Sequence, residues 1–164
     1  MRAGAVGGNA SARSVRTVGY GRAVAHPLSY DPGDPQLAQL RELCLQFPEA
    51  SEKVSHGRPT FRARVMFAGY SGMVKAPVAG QPMRQLPHSV LFVVAQSERP
   101  ALEQDPRFFL PAYYGAYGWL GLDLDAAEVD WQEVAELVDV SYREVSGPRL
   151  VRLLDELGSP AEGN

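Results

Sequence analysis

The sequence of 164 residues contains a single cysteine, Cys44, so no intramolecular disulfide can form. A chain without disulfides is typical of a reducing compartment, and we therefore expect a cytoplasmic protein. The longest apolar run extends from Val90 to Ala95 and is far shorter than the roughly 18 residues that a membrane-spanning helix needs, so no membrane segment is predicted. Hydrophobic residues nevertheless make up 45% of the chain, which excludes disorder throughout and indicates one globular domain.

Acidic residues are absent from the first 28 residues, which contain four arginines among many Gly, Ala and Ser. This segment has neither helical nor strand periodicity, and we expect a disordered basic tail over residues 1–28 followed by a single domain over residues 29–160. The composition also suits an organellar transit peptide, although an incidental extension is favoured.

The remaining charges are distributed unevenly. Residues 51–110 contain eight bases and four acids, whereas residues 111–164 contain three bases and eleven acids. The net charge of −3 therefore hides a basic middle and an acidic C-terminal third.

Helices are indicated at both ends of the predicted domain. The first is capped by Asp34, has an apolar repeat at Leu37, Leu40, Cys44 and Phe47, and ends at Pro48. Asp130 and Glu133 form a capping box for a later helix. The last begins at Pro148 and directs Leu150, Leu153, Leu154 and Leu157 inward. Ser97 is predicted to cap a short helix over residues 98–104.

Strands are predicted between these helices. Apolar residues alternate from Phe61 to Phe67, which places Arg62 and Arg64 together on the exposed face of one strand. Residues 69–72 predict a turn, after which residues 73–78 return as the second arm of a hairpin. Residues 89–95 are typical of a central strand, and residues 119–124 form the last one. The order predicts an α+β fold with two layers, an antiparallel sheet covered by helices.

Five short motifs together resemble the YjbR/MmcQ family of small bacterial proteins over roughly residues 36–152. They are Leu43 to Pro48, His56 to Phe61, Gln104 to Phe108, Pro111 to Trp119, and the pair Ser141 and Tyr142. The resemblance implies a CyaY-like fold and DNA binding through a double-wing arrangement of hairpins. The family commonly has a lysine after the Pro-Thr-Phe motif, where this chain has Arg62 and Arg64, so a role that needs a lysine amine is not expected.

Basic residues in or beside the predicted hairpins are the candidates for nucleic-acid binding: Arg58, Arg62, Arg64, Lys75 and Arg84. Exposed residues two apart on a strand lie about 7 Å from each other, a spacing that can follow a phosphate backbone. The alternative is a solvated sheet face that resists edge aggregation, because the domain outside the tail has a net negative charge.

A second set of motif residues could line one pocket: His56, Tyr113, Trp119, Ser141 and Tyr142. No acid that could orient a catalytic histidine is identifiable, and no G-x-S-x-G motif is present. Core packing with hydrogen-bonded tyrosines is therefore favoured over catalysis, and His56-Gly57 is interpreted as the turn before a strand.

No metal site or cofactor is predicted. The three histidines are widely separated, and no ligand pair has the spacing usual for zinc. The acidic run from Asp123 to Glu136 is explained by a capped helix with an exposed acidic face.

The leading hypothesis is a non-enzymatic domain that binds DNA weakly through the basic hairpin face. The alternative is a protein-binding or chaperone-like adaptor, because the topology resembles secretion-chaperone folds that work as dimers. A small-molecule enzyme ranks third and would need a deep pocket beside His56 and Tyr142. The sequence leaves monomer and dimer open.

Overall fold

The computed structural model describes residues 26–163. The helices are α1 (Pro35–Cys44), α2 (Arg99–Leu102), α3 (Trp131–Ser146) and α4 (Pro148–Leu157). The strands are β1 (Ser51–Ser55), β2 (Arg58–Ala63), β3 (Val65–Val74), β4 (Arg84–Val93), β5 (Phe108–Phe109) and β6 (Trp119–Asp123). Short 3₁₀ turns cover Gly115–Tyr117 and Pro160–Glu162. The predicted disordered tail lies mostly in residues 1–25, outside the described residues.

The strands form one antiparallel sheet in the order β1-β2-β3-β4-β6-β5. Side chains such as Phe61, Phe92 and Leu120 pack beneath α1, α3 and α4 in the main hydrophobic core. We call this side of the sheet the helix face. The predicted α+β architecture, with an antiparallel sheet and helices, is therefore confirmed.

The opposite side, which we call the open face, has a smaller apolar cluster. Met66, Leu91 and Trp119 are buried there, and Phe109 and Tyr114 pack against them. This cluster covers the part of the sheet near β6, and no helix of residues 26–163 packs on the β1–β2 part of the open face.

The helix ends follow the capping residues in the sequence. Asp34 accepts a hydrogen bond from the backbone N–H of Gln36, and Asp130 accepts from those of Gln132 and Glu133. The Glu133 carboxylate pairs with Arg107 at 2.7 Å. Only the Asp130 half of the predicted capping box is therefore present.

Two helix predictions need correction. Leu157 is 70% exposed although it was expected to point inward, because it is the last residue of α4 and follows the last buried position, Leu154. The short helix α2 begins after Glu98, without a side-chain cap, so Ser97 does not have the predicted capping role.

The predicted turn at Gly69–Gly72 is wrong, because β3 continues through these residues from Val65 to Val74. The turn lies instead at Arg64, whose φ of 69° reverses the chain between the paired residues Ala63 and Val65. A β-carbon at Gly69 would lie 2.8 Å from Met66 Cε, and one at Gly72 would lie 2.9 Å from Leu91 Cδ2. These glycines therefore permit close packing on the open face.

Strands β1 and β5 were not predicted. The residues of β1 are mostly polar and exposed, as in an edge strand, and β5 has only two residues. Between residues 26 and 163, every helix is too short or too polar to cross a bilayer.

Gly121 of β6 lies against the ring of Phe109, and a β-carbon at this position would overlap several ring atoms. We expect Gly121→Ala to lower the free energy of unfolding by about 1–3 kcal/mol, because Phe109 and β5 must shift. Urea denaturation followed by circular dichroism measures the change.

Gly115→Ala is the matched control, because the added carbon would approach its neighbours no closer than 3.6 Å. Its effect should stay within about 0.5 kcal/mol. Equal losses in the two variants would contradict the assigned packing.

Candidate functional site

The five predicted basic residues are spread along the sheet. Arg58 begins β2, two residues before Thr60, which pairs with Gly69 in the middle of β3, whereas Lys75 and Arg84 lie at the far end of β3. Arg62 and Arg64 lie toward the opposite end, and the ten residues of β3 separate the ends by roughly 30 Å. The five therefore do not form one continuous basic patch.

Arg62 and Arg64 do not share the face of one strand, because the turn at Arg64 interrupts the alternation. Arg62 is half-buried on the open face, opposite Met66, and its Nε donates to Thr60 Oγ1 at 3.3 Å. Arg64 is exposed at the turn, where its charge helps to lower the pKa of Glu49, although the hydrogen bond from Arg149 is the largest cause.

Lys53 belongs with Arg62, although the sequence analysis did not select it. Lys53 is exposed and pairs across the strands with Thr60, two residues before Arg62. Such diagonal neighbours lie about 7–8 Å apart, within the reach of long side chains. The only signal available in the sequence was the position of residues 51–55 directly before the His56-Gly57 turn.

A cleft of about 440 Å³ lies at the other end of β2, lined by His26, His56, Arg58, Met73, Tyr113 and Tyr114. His56 and Gly57 have φ of 51° and 78° and join β1 to β2 as a two-residue turn, which confirms that His56-Gly57 shapes the chain before the strand. Tyr113 also has a left-handed φ of 70°, uncommon for an aromatic residue.

Arg58 is 4% exposed, and its Nε is buried without a hydrogen-bond partner. No ion pair among residues 26–163 involves its guanidinium, and residues 1–25 contain no Asp or Glu. Burial lowers the pKa of Arg58, and the nearby Tyr114 acts in the opposite direction by raising it. The Cζ atom of Arg58 lies 5.9 Å from the centroid of the Tyr114 ring. An arginine remains charged in proteins, so Arg58 is a buried cation without a carboxylate partner in the described part of the chain.

The second predicted set is divided between the two faces of the sheet. His56 and Tyr113 meet in the cleft, and Trp119 packs edge-on against Tyr114 in the open-face cluster. Ser141 and Tyr142 belong to α3, which packs on the helix face. The five residues therefore do not converge on one pocket, because the sheet separates them.

Ser141 has a structural role on the helix face. Its Oγ accepts a hydrogen bond from Val93 N at 2.8 Å and donates one to Phe67 O at 2.5 Å. These two backbone groups lie just beyond the last β3–β4 pair, Ala68 and Phe92. The hydroxyl thus joins the two strands where their own pairing stops.

Tyr142 is also held by the core. Its hydroxyl donates to Pro48 O at 2.9 Å, and its ring packs against those of Phe47 and Phe67, which also contact each other. Burial raises the pKa of Tyr142, so the phenol remains protonated.

The acidic run from Asp123 to Glu136 is used in local contacts. Asp130 caps α3, Asp125 pairs with His88 at 2.8 Å, and Glu133 pairs with Arg107. Within residues 26–163, no three His, Cys, Asp or Glu side chains are grouped so that they could hold a metal ion.

Ser141→Ala should lower the free energy of unfolding by about 2–4 kcal/mol, because the half-buried N–H of Val93 and the buried C=O of Phe67 both lose their partner. Urea denaturation measures the effect. Ser146→Ala is the matched control, since Ser146 lies on the same helix and its buried Oγ has no hydrogen-bond partner in the described residues. A loss at Ser146 as large as that at Ser141 would contradict the bridging role.

Comparison with protein families identifies the family of the chain. No curated protein matches the chain. A family model described as YjbR matches residues 45–144, which is more than half of the 164 residues. This range includes the turn at His56, the segment from Pro111 to Trp119 and Ser141. The chain therefore belongs to the YjbR family.

Proposed function

We propose that the protein is a non-enzymatic binding domain that binds nucleic acid weakly through the β1–β2 part of the open face. The observation that carries this proposal is the separation of charge between the two faces. Of the six bases in residues 51–93, Lys53 and Arg62 lie on this part of the open face and Arg64 lies at the adjoining turn, and the one acid in this range is Glu52. Glu52 pairs with Arg41 of α1 at 2.5 Å, on the helix face, so its charge is neutralised away from the proposed interface.

Lys53 and Arg62 are the central contacts of this interface. Their diagonal placement on neighbouring strands suits contacts to a phosphate backbone, which positions a protein without reading sequence. Arg64 at the adjoining turn extends the positive charge.

The opposite face favours one orientation of binding. Helices α3 and α4 contain six acids and three bases, so nucleic acid is repelled from that side. We expect low affinity and little sequence preference, with a Kd of about 1–100 μM at physiological salt.

The fully buried thiol of Cys44 also supports a reducing compartment, and we propose the cytoplasm as the site of action.

Fluorescence anisotropy with labelled duplex DNA at several salt concentrations tests the interface. The double variant Lys53→Gln with Arg62→Gln should weaken binding and reduce the slope of log K against log salt by about 2, because two phosphate contacts are lost. Arg152→Gln is the control, since Arg152 is exposed on α4. Undetectable binding at low salt, or equal effects of the double variant and the control, would refute the proposal.

An adaptor that binds protein is the second candidate, and exposed apolar side chains favour it. Leu110, Tyr113 and Tyr117 are 52%, 67% and 79% exposed within one short stretch before β6. Such a group is typical of an interaction surface when its members are contiguous.

If this surface joins two copies of the chain, light scattering should give the mass of a dimer, and Leu110→Ser with Tyr117→Ser should restore the monomer mass. Val78→Ser is the control, because Val78 is similarly exposed in a different loop. A monomer at every concentration would exclude this self-association.

A further inference from the structure

The buried charge of Arg58 is unusual in this fold. Charged side chains are rarely buried unless they are paired, because they lose hydration. In the described residues, seven of the nine ion pairs use arginine, yet none uses Arg58. Among residues 26–163, Arg58 Nε is buried without an acceptor beside this cleft, which suits an acceptor supplied by a ligand.

The other walls of the cleft are mainly aromatic. Tyr113 and Tyr114 are neighbours in one segment before β6. His26 and His56 come from two other segments, and the centroids of their rings lie 5.2 Å apart. Neither Asp nor Glu is among the lining residues. The cleft thus combines a desolvated cation with flat rings, and its volume is within the usual range for small-molecule sites.

Hydrogen bonds hold these walls in place without a ligand. Ser29 N donates to Gly57 O at 2.8 Å, and Ser71 Oγ donates to Ser29 O at 2.5 Å. A β-carbon at Gly57 would overlap the carbonyl oxygen of Pro27. Residues 26–29 are therefore packed against the β1–β2 turn, which places His26 beside His56.

We propose that this cleft binds a small molecule that bears an oxyanion, a carboxylate or a phosphate, on a flat apolar ring. The Arg58 guanidinium binds the oxyanion through its planar set of N–H donors. The rings of Tyr113, Tyr114 and the two histidines enclose the apolar body. This function goes beyond weak binding of nucleic acid, because the site is a cleft over the buried Arg58 near one end of β2, whereas Lys53 and Arg62 are centred toward the other.

Isothermal titration calorimetry with the full chain tests the proposal. Phenyl phosphate and benzoate are the probes, and at least one of them should bind with a Kd of about 1 mM or tighter. Inorganic phosphate should bind at least about tenfold more weakly than phenyl phosphate, because it lacks the apolar body. Comparison of the two aromatic probes identifies which oxyanion is preferred.

Benzyl alcohol and benzylamine are the matched neutral and cationic probes, and neither should bind detectably. Binding of benzyl alcohol as tight as that of the anions would overturn the proposal, since Arg58 would then have no role. Failure of both anions to bind would also overturn it.

Arg58→Gln should weaken binding of the preferred anion by at least about tenfold. Arg62→Gln is the control, because Arg62 lies four residues farther along β2, and it should leave the small-molecule Kd unchanged while weakening DNA binding. Unchanged anion binding in folded Arg58→Gln would refute the assignment, and the DNA titration separates this result from failure of the nucleic-acid proposal.

His56→Asn provides a second test if Arg58→Gln does not fold. Asparagine suits a positive φ in a two-residue turn, so the hairpin is retained while one ring of the cleft is lost. The Kd should rise at least about threefold. An unchanged Kd in this folded variant would place the ligand elsewhere and overturn the proposal.

Discussion

The architecture depends on the attachment of α3 across the middle of the sheet. The Ser141 hydroxyl bridges Phe67 and Val93 where pairing between β3 and β4 ends, and Tyr142 anchors the next position to Pro48. These contacts hold α3 on the helix face, together with α1 and α4. The β1–β2 part of the open face is therefore not required for the main core, and it can present polar and charged side chains.

The sequence predicts the helices better than the strands, because helix ends are specified locally. Asp34 with Pro35, and Asp130, provide caps that need no distant partner. Gly69 and Gly72 are ambiguous, since glycine serves both turns and close packing. The two glycines pack closely within a continuous strand because they contact Leu91 and Phe109, which are distant in sequence.

The same distinction limits what the sequence predicts of the candidate site. The basic character of residues 51–93 is evident from composition, but the burial of Arg58 depends on Tyr114, which lies 56 residues later. Lys53 was missed because β1 is a polar edge strand without an apolar alternation. Tertiary contacts thus separate one apparent basic motif into a cleft at one end and an exposed face at the other.

Solvation gives the two arginines of β2 different chemistry. Arg62 lies beside Lys53, whose charge is exposed to water and screened by salt. Contacts with this pair therefore suit weak and reversible binding to a phosphate backbone. Arg58 is shielded from water, where electrostatic interactions are stronger and an unpaired charge is costly. An anion that enters the cleft relieves that cost only if it replaces the lost hydration with well-aligned acceptors. A buried arginine therefore favours a small ligand of defined shape, even though it lies on the same strand as a cation that suits a polyanion.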